Sequence, residues 1–219
     1  SSDELLPITM TYGDEVFPFA RYRYRGTLKR QWSVRSYRID LEHDHPFAGE
    51  DRLNFNGKRP GPEWLATEYV KEAGFAVPEL HAIRLHVNHR DQGPYLWSER
   101  IGEDYLERNY RGSSTGAWYE SWGEEDTGLV PPEILEVLNV VRNPNPVDYA
   151  AAVRQVIDPD QWLSWAASMA LLGNNETILS GISGNHAVYQ HPDSGLLRLE
   201  PVDLDASWEP ANLGMEMHV

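Results

Sequence analysis

The chain has 219 residues, enough for one domain or for two small lobes, and its composition, with eight tryptophans and eleven tyrosines, is that of a globular protein. Thirty-four acidic against nineteen basic side chains give a formal charge of −15, a field that repels phosphate backbones and disfavours general DNA or RNA binding. The absence of cysteine excludes disulfides and thiolate metal sites, and no apolar run is long enough to span a bilayer. The acidity favours a basic protein partner or simply keeps the protein soluble. The opening SSDELLPITM lacks the basic and apolar regions of a signal peptide.

In chain order, VFPFARYRYR (16–25) alternates aromatic and basic residues and predicts a strand ending at Gly26, and WSVRSYRIDL (32–41) predicts a second. His43 and His45 could share one face of an extended chain, but they sit in a Pro/Gly-rich loop with no third ligand, which disfavours a zinc site. PEWLATEYVKEA (62–73) reads as a helix: Pro62 opens it, Glu63 suits its first turn and Gly74 stops it. Trp64, Leu65, Tyr69 and Val70 are its expected buried stripe, with Glu68 and Glu72 one turn apart. ELHAIRLHVN (79–88) and GPYLWSER (93–100) predict strands around a turn at 89–92, followed by IGEDYLERNY. Residues 112–128, rich in Gly, Ser and acid, read as a long exposed loop. Short helices are expected at 131–141 and 147–156, around the rigid linker NPNP at 143–146.

The helix over 158–172 has clear punctuation, with Asp158 as N-cap, Pro159 at the first helical position and Gly173 as the stop. Trp162, Ala166, Met169 and Ala170 recur at helical spacing, with Leu163 and Leu172 adding to the apolar face. It presents an Asn174-Asn175-Glu176 turn. Two alternating runs, 186–190 and 196–200, joined by His191-Pro192-Asp193-Ser194-Gly195, then predict a β-hairpin. Such a hairpin folds Asn185, just before its first strand, and Asp203, just after its second, back to one end. An amide and a carboxylate there are hard-oxygen ligands suited to Mg²⁺ or Mn²⁺ holding a nucleotide's phosphates. Each of these residues alone is ordinary turn chemistry. An acid, an Asn, a strand pair and then Asp-Leu-Asp is, however, the order of parts that protein kinases use.

The stretch GNNETILSGISGNHAVYQHPDSGLLRLEPVDLDASW (173–208) resembles the signature of the spore coat protein H (CotH) kinase family. In that family a helix ends in Gly-Asn-x-Asp, an Asn-rich strand start follows, and the segment closes with Pro-x-Asp-Leu-Asp. RYRGTLKRQWSVRSYRIDL resembles the family's opening motif, DRLNFN (51–56) its strand before the helix, and GPYLWSERIGEDYL its Gly-x-Tyr-Leu-x-x-Glu motif. The resemblance covers about 22–208. It implies an α+β, two-lobed, atypical protein-kinase-like fold: a β-rich N-lobe (1–108) with one helix (62–73) and a hinge near 99–102, then a mainly helical C-lobe (109–219) carrying the hairpin at the active site. It also implies ATP and Mg²⁺ or Mn²⁺ as cofactors, a protein substrate accepting phosphate on Ser or Thr, and a spore-coat or extracellular setting.

By residue, the resemblance makes Asn185, Asp203 and Asp205 the metal ligands and gives Glu176 and Asp203 the catalytic roles. Arg35 becomes the phosphate-binding cation, with Lys29 as alternative, and Glu68 its helix partner. The backbone around Glu99 and Ile101 becomes the adenine-reading hinge. Two departures stand out: Arg35 where the family carries Lys, and Glu176 where it carries Asp. The family's Tyr-Lys pair is also Tyr119-Glu120 here. Arg binds phosphate as a planar fork rather than a point charge. A catalytically weak or inactive module that binds nucleotide or protein is therefore the alternative. A phosphodiesterase built on Asp203 and Asp205 lacks a supporting His cluster, and a glycosidase using Glu176 and Asp203 is not excluded.

Overall fold

The computed structural model describes residues 4–25, 34–111, 115–120, 132–142, 148–174, 176–177 and 185–208. The chain is α+β and divides into two compact units, residues 1–64 with 78–105, and residues 65–77 with 106–219.

The first unit is built on a curled antiparallel sheet of six strands: β1 (Leu6–Tyr12), β2 (Glu15–Tyr24), β3 (Tyr37–Asp40), β4 (Arg52–Asn56), β5 (Leu80–Val87) and β6 (Arg90–Ser98), in the order β1-β2-β3-β4-β6-β5. Alternation selects its buried face. On β4, Leu53 and Phe55 point inward while Arg52, Asn54 and Asn56 take the other side. With Phe17, Ala20, Ile39, Leu41 and Tyr95 they form this unit's core. Gly57 lies so close to the Tyr95 ring that a Cβ there would come within 2.3 Å of it. The β5–β6 turn is tighter than expected. It is the two-residue Asn88-His89 loop, both with positive φ (49° and 63°), the primed geometry that suits a twisted hairpin. Arg90, Asp91 and Gln92 are therefore strand residues, with a bulge beside Gly93 (φ 90°). β3 begins at Tyr37, so Arg35 precedes the strand instead of lying in it.

Helix α1 (Pro60–Glu72) starts two residues earlier than its proline signal suggested. Its expected stripe is corrected in part: Val70 is buried as expected, but Trp64, Leu65 and Tyr69 are exposed, and Glu63, Ala66 and Thr67 are buried in their place. A buried glutamate rotates the face away from the one hydrophobicity selects.

The second unit comprises α2 (Glu103–Asn109) from its second turn, β7 (Ala117–Glu120), α3 (Pro132–Arg142), α4 (Tyr149–Val156), α5 (Pro159–Leu172), β8 (His186–Gln190) and β9 (Leu197–Pro201). Its sheet has the order β7-β8-β9, antiparallel throughout, so residues 117–120 of the expected loop form a strand. Residues 112–114, 121–131 and 143–147 lie outside the described residues. Trp165, Met169 and Leu172 of α5 pack with Ile134, Val137, Val188, Leu197 and Leu199.

Helix α5 obeys its punctuation. Asp158 accepts from the Gln161 amide at 3.3 Å, and Gly173 closes the helix at φ 58°. Its buried face differs in part from the expected one: Met169 and Leu172 face inward as expected, joined by Gln161, Trp165 and Ser168, while Leu163 and Ala170 are exposed. The reason is polar. Gln161 donates to the Leu199 carbonyl and accepts from the Leu199 amide at 3.0 Å, and the Trp162 indole donates to the Leu197 carbonyl at 2.8 Å. The glutamine amide thus continues the β9 ladder as a peptide group would, which draws it into the core.

Candidate functional site

The chemistry of a helix stop starts the site. Beyond Gly173, the Asn174 amide donates to the Met169 carbonyl at 3.1 Å, and the buried Asn174 side chain accepts from the Glu176 amide at 3.1 Å. This Asx-type turn fixes the loop that carries Glu176. The Asn174 side-chain amide also donates to Ser207 Oγ at 3.4 Å, and the Trp208 amide to the Leu172 carbonyl at 2.7 Å. These bonds tie the segment after β9 to the end of α5.

The hairpin forms as expected. His186 pairs with Pro201 and Gln190 with Leu197, so Asn185 and Asp203 leave the ribbon at the same end. Both adopt left-handed backbone, φ 51° and φ 49°. Asn and Asp tolerate that region better than other L-residues, at a cost of order 1 kcal/mol, and such conformations gather at functional positions. Asn185 donates its side-chain amide to Glu176 Oε2 at 3.2 Å. A continuous path thus runs from Ser207 through Asn174 and Glu176 to Asn185. Asp203 starts the 3-10 turn Leu204–Ala206, in which Asp205 is buried. Thus Glu176 and Asn185 meet through a hydrogen bond, and Asp203 and Asp205 follow β9 at the ribbon end from which Asn185 also leaves.

The donor set suits a hard cation. With its nitrogen committed to Glu176, Asn185 keeps its carbonyl oxygen as an acceptor, and Asp203 and Asp205 add carboxylates. Among the described residues no three His, Cys, Asp or Glu side chains group to hold a metal ion, so a site here depends on the Asn185 amide oxygen.

Three buried residues nearby, Asn174, Ser207 and Glu200, were given no role of their own by the sequence. Asn174 and Ser207 position the loop, and the Asn-x-Glu spacing after a helix-stopping glycine was the signal for the first. Glu200 on β9 is fully buried, with the Arg198 guanidinium at 3.5 Å and neither carboxylate oxygen hydrogen-bonded among the described residues. Burial pushes its carboxyl up to about 7 despite the nearby guanidinium. Its position in an alternating strand gave no warning, because β9 is covered on both faces.

The remaining candidates, Arg35, Glu99 and Ile101 of the first unit and Glu68 on α1, are arranged differently. The Arg35 guanidinium lies over the Tyr24 ring, 4.5 Å from its centroid. Glu68 is exposed and its near cation is Lys71, at 3.9 Å. The buried acid at the start of α1 is Glu63, which accepts from the Asn56 side chain at 2.8 Å, while Asn56 accepts from Arg25. The Glu99 amide donates to the Glu79 carbonyl at 2.9 Å, extending the β5–β6 ladder. Lys29 lies outside the described residues. His43 turns to Asp51 at 3.2 Å, whereas His45 stacks on Phe17.

An acidic loop at a helix stop, a ribbon flanked by Asn and Asp, and an Asp-Leu-Asp exit make up the candidate site of the second unit. The CotH kinase protein family matches residues 22–217, and the chain belongs to that family. Over 215 residues it is 22% identical to the inner spore coat protein H of Bacillus subtilis (strain 168), a match covering 84% of this chain and 58% of that protein. The chain thus spans under two thirds of the relative's length. Among the described residues no helix is long and apolar enough to cross a membrane.

Proposed function

We propose that the protein is an ATP-dependent protein phosphotransferase of the CotH type, with a two-lobed kinase-like architecture, acting on Ser or Thr hydroxyls of a protein substrate. The observation that carries this reading is the hydrogen bond from Asn185 to Glu176 at 3.2 Å, at the ribbon end where Asp203 also emerges. It joins a candidate metal ligand to a candidate catalytic acid. In this reading Asn185, Asp203 and Asp205 hold Mg²⁺ or Mn²⁺, which when bound neutralises phosphate charge. Glu176 accepts and orients the acceptor hydroxyl's proton, and Asn185 fixes its carboxylate. Arg35 steadies the phosphates, and Ile101 offers backbone to the adenine edge. The acidic surface selects a basic, Ser-rich acceptor, and the spore-coat relative points to that setting.

The test combines two measurements. ATP with Mn²⁺ is expected to raise the thermal midpoint, and labelled ATP to transfer phosphate to the protein itself or to a basic Ser-rich peptide. Both effects should be lost in Asp203→Asn, and transfer should be lost in Glu176→Gln. Stabilisation without transfer would replace the enzyme by a nucleotide-binding module, the second reading favoured by Glu176 and Arg35 standing where the family carries Asp and Lys. Neither effect would end both readings.

A further inference from the structure

The first unit holds a pocket of about 570 Å³ lined by Tyr24, Val34, Arg35, Tyr37, Tyr95 and the tip of the β5–β6 hairpin, which adds Val87, Asn88, Arg90 and Gln92. That volume is in the usual range for small-molecule sites. Its chemistry is one-sided. Two guanidiniums and two amides face three tyrosines, and no carboxylate among the described residues lines the wall. In a chain of 34 acids and 19 bases, neither Arg35 nor Arg90 has an acidic partner among the described residues. The nearest acid in sequence to Arg90, Asp91, is already taken by Arg84 and by the Gly93 amide.

The pocket is also braced. The Arg35 guanidinium sits over the Tyr24 ring, and the Arg35 carbonyl accepts from the Tyr95 hydroxyl at 3.0 Å. The Tyr24, Tyr37 and Tyr95 rings follow one another at centroid spacings of 5.4 and 6.0 Å. Burial, with the neighbouring phenols, pushes Tyr37 up to about 12, so it stays neutral and adds no negative charge. On the other side, the primed Asn88-His89 turn brings Arg90 back at the first position of β6, paired with Val87.

We infer that this pocket binds a phosphate-bearing ligand, held by Arg35 together with Arg90 as a second cation supplied by the β5–β6 hairpin. The inference rests on the reading of Arg35 as a phosphate-binding residue and adds Arg90, Asn88 and Gln92 to it. Two guanidiniums match a phosphate chain's oxygens through charge-assisted hydrogen bonds, and the tyrosine faces accept a ring carried on it. A nucleotide and a free polyphosphate share this chemistry.

Calorimetric titration of the full chain with ATP and, separately, with inorganic tripolyphosphate, without divalent metal, tests it. Arg35→Ala and Arg90→Ala should each weaken both ligands tenfold or more. Arg84→Ala, on the same hairpin but engaged by Asp91, should leave them unchanged, and matched thermal midpoints show that the variants fold. ATP binding tighter than tripolyphosphate binding identifies the nucleotide as the source. Tripolyphosphate binding that depends on Arg90 with no gain from the nucleoside keeps the anion pocket and argues against the phosphotransferase. ATP binding indifferent to Arg90→Ala overturns the inference while leaving the phosphotransferase standing. No binding of either anion overturns the pocket outright.

Discussion

Glu176 is the residue on which catalysis would turn. A glutamate in place of aspartate moves the carboxylate by over ~1 Å, a displacement that can cost on the order of a hundredfold in rate if nothing compensates. Here the Asn185 amide meets Oε2 at 3.2 Å and the Asn174 side chain holds the Glu176 amide, so the loop is built around the longer side chain. Glu176→Asp should therefore lower phosphate transfer about tenfold or more with little change in nucleotide affinity, read as kcat against Kd. Glu200 makes a different prediction. Its carboxyl is raised from 4.5 to about 7 by burial, so the folded state holds a proton that the unfolded chain releases. Its contribution to stability is complete below about pH 4.5 and is lost as pH rises toward 7. The loss is roughly 3 kcal/mol, from the pKa difference. Urea unfolding of the native chain against Glu200→Gln should show that difference growing between pH 5 and 7.5, with the glutamine variant flatter.

At the scale of elements, what could be read in advance followed local rules, and what could not followed tertiary ones. The ends of α5 were legible because Asp-Pro and Gly carry their own geometry, and the β8–β9 hairpin because alternation and a turn-rich linker are both local. The candidate residues around Asn185 and Asp203 were legible for the same reason. The inward faces of α1 and α5 were misread because Glu63 and Gln161 are buried for their hydrogen bonds, which a hydrophobic pattern scores as exposure. β1 and β7 went unseen: one is largely exposed on its only partner, and the other pairs with β8 some seventy residues along the chain. Arg90 was placed in a turn for want of knowing that Asn88 and His89 both accept positive φ. The Gln161 bridge can be measured. Gln161→Ala leaves the Leu199 amide and carbonyl without their side-chain partner, which should cost about 2–4 kcal/mol in urea unfolding. Asp158→Ala, which removes only the cap, should cost about 1 kcal/mol.

For the whole molecule, charge is the dominant fact. At −15, self-repulsion opposes compactness, and salt screens it with a Debye length of about 10 Å at 0.1 M. The thermal midpoint should rise by a few degrees as NaCl is added, while affinity for a basic acceptor peptide falls over the same range. A midpoint indifferent to salt would show that the acids are locally neutralised. The pairing of Gln161 and Trp162 with β9 bears on how such a chain survives crowding. A three-stranded sheet has two open margins, and an open margin recruits strands from other molecules. On the β9 side that margin is sealed by side chains of α5 and by the Ile157–Leu197 bridge. Loosening that seal would therefore first be seen as heat-induced turbidity, well before the protein unfolds.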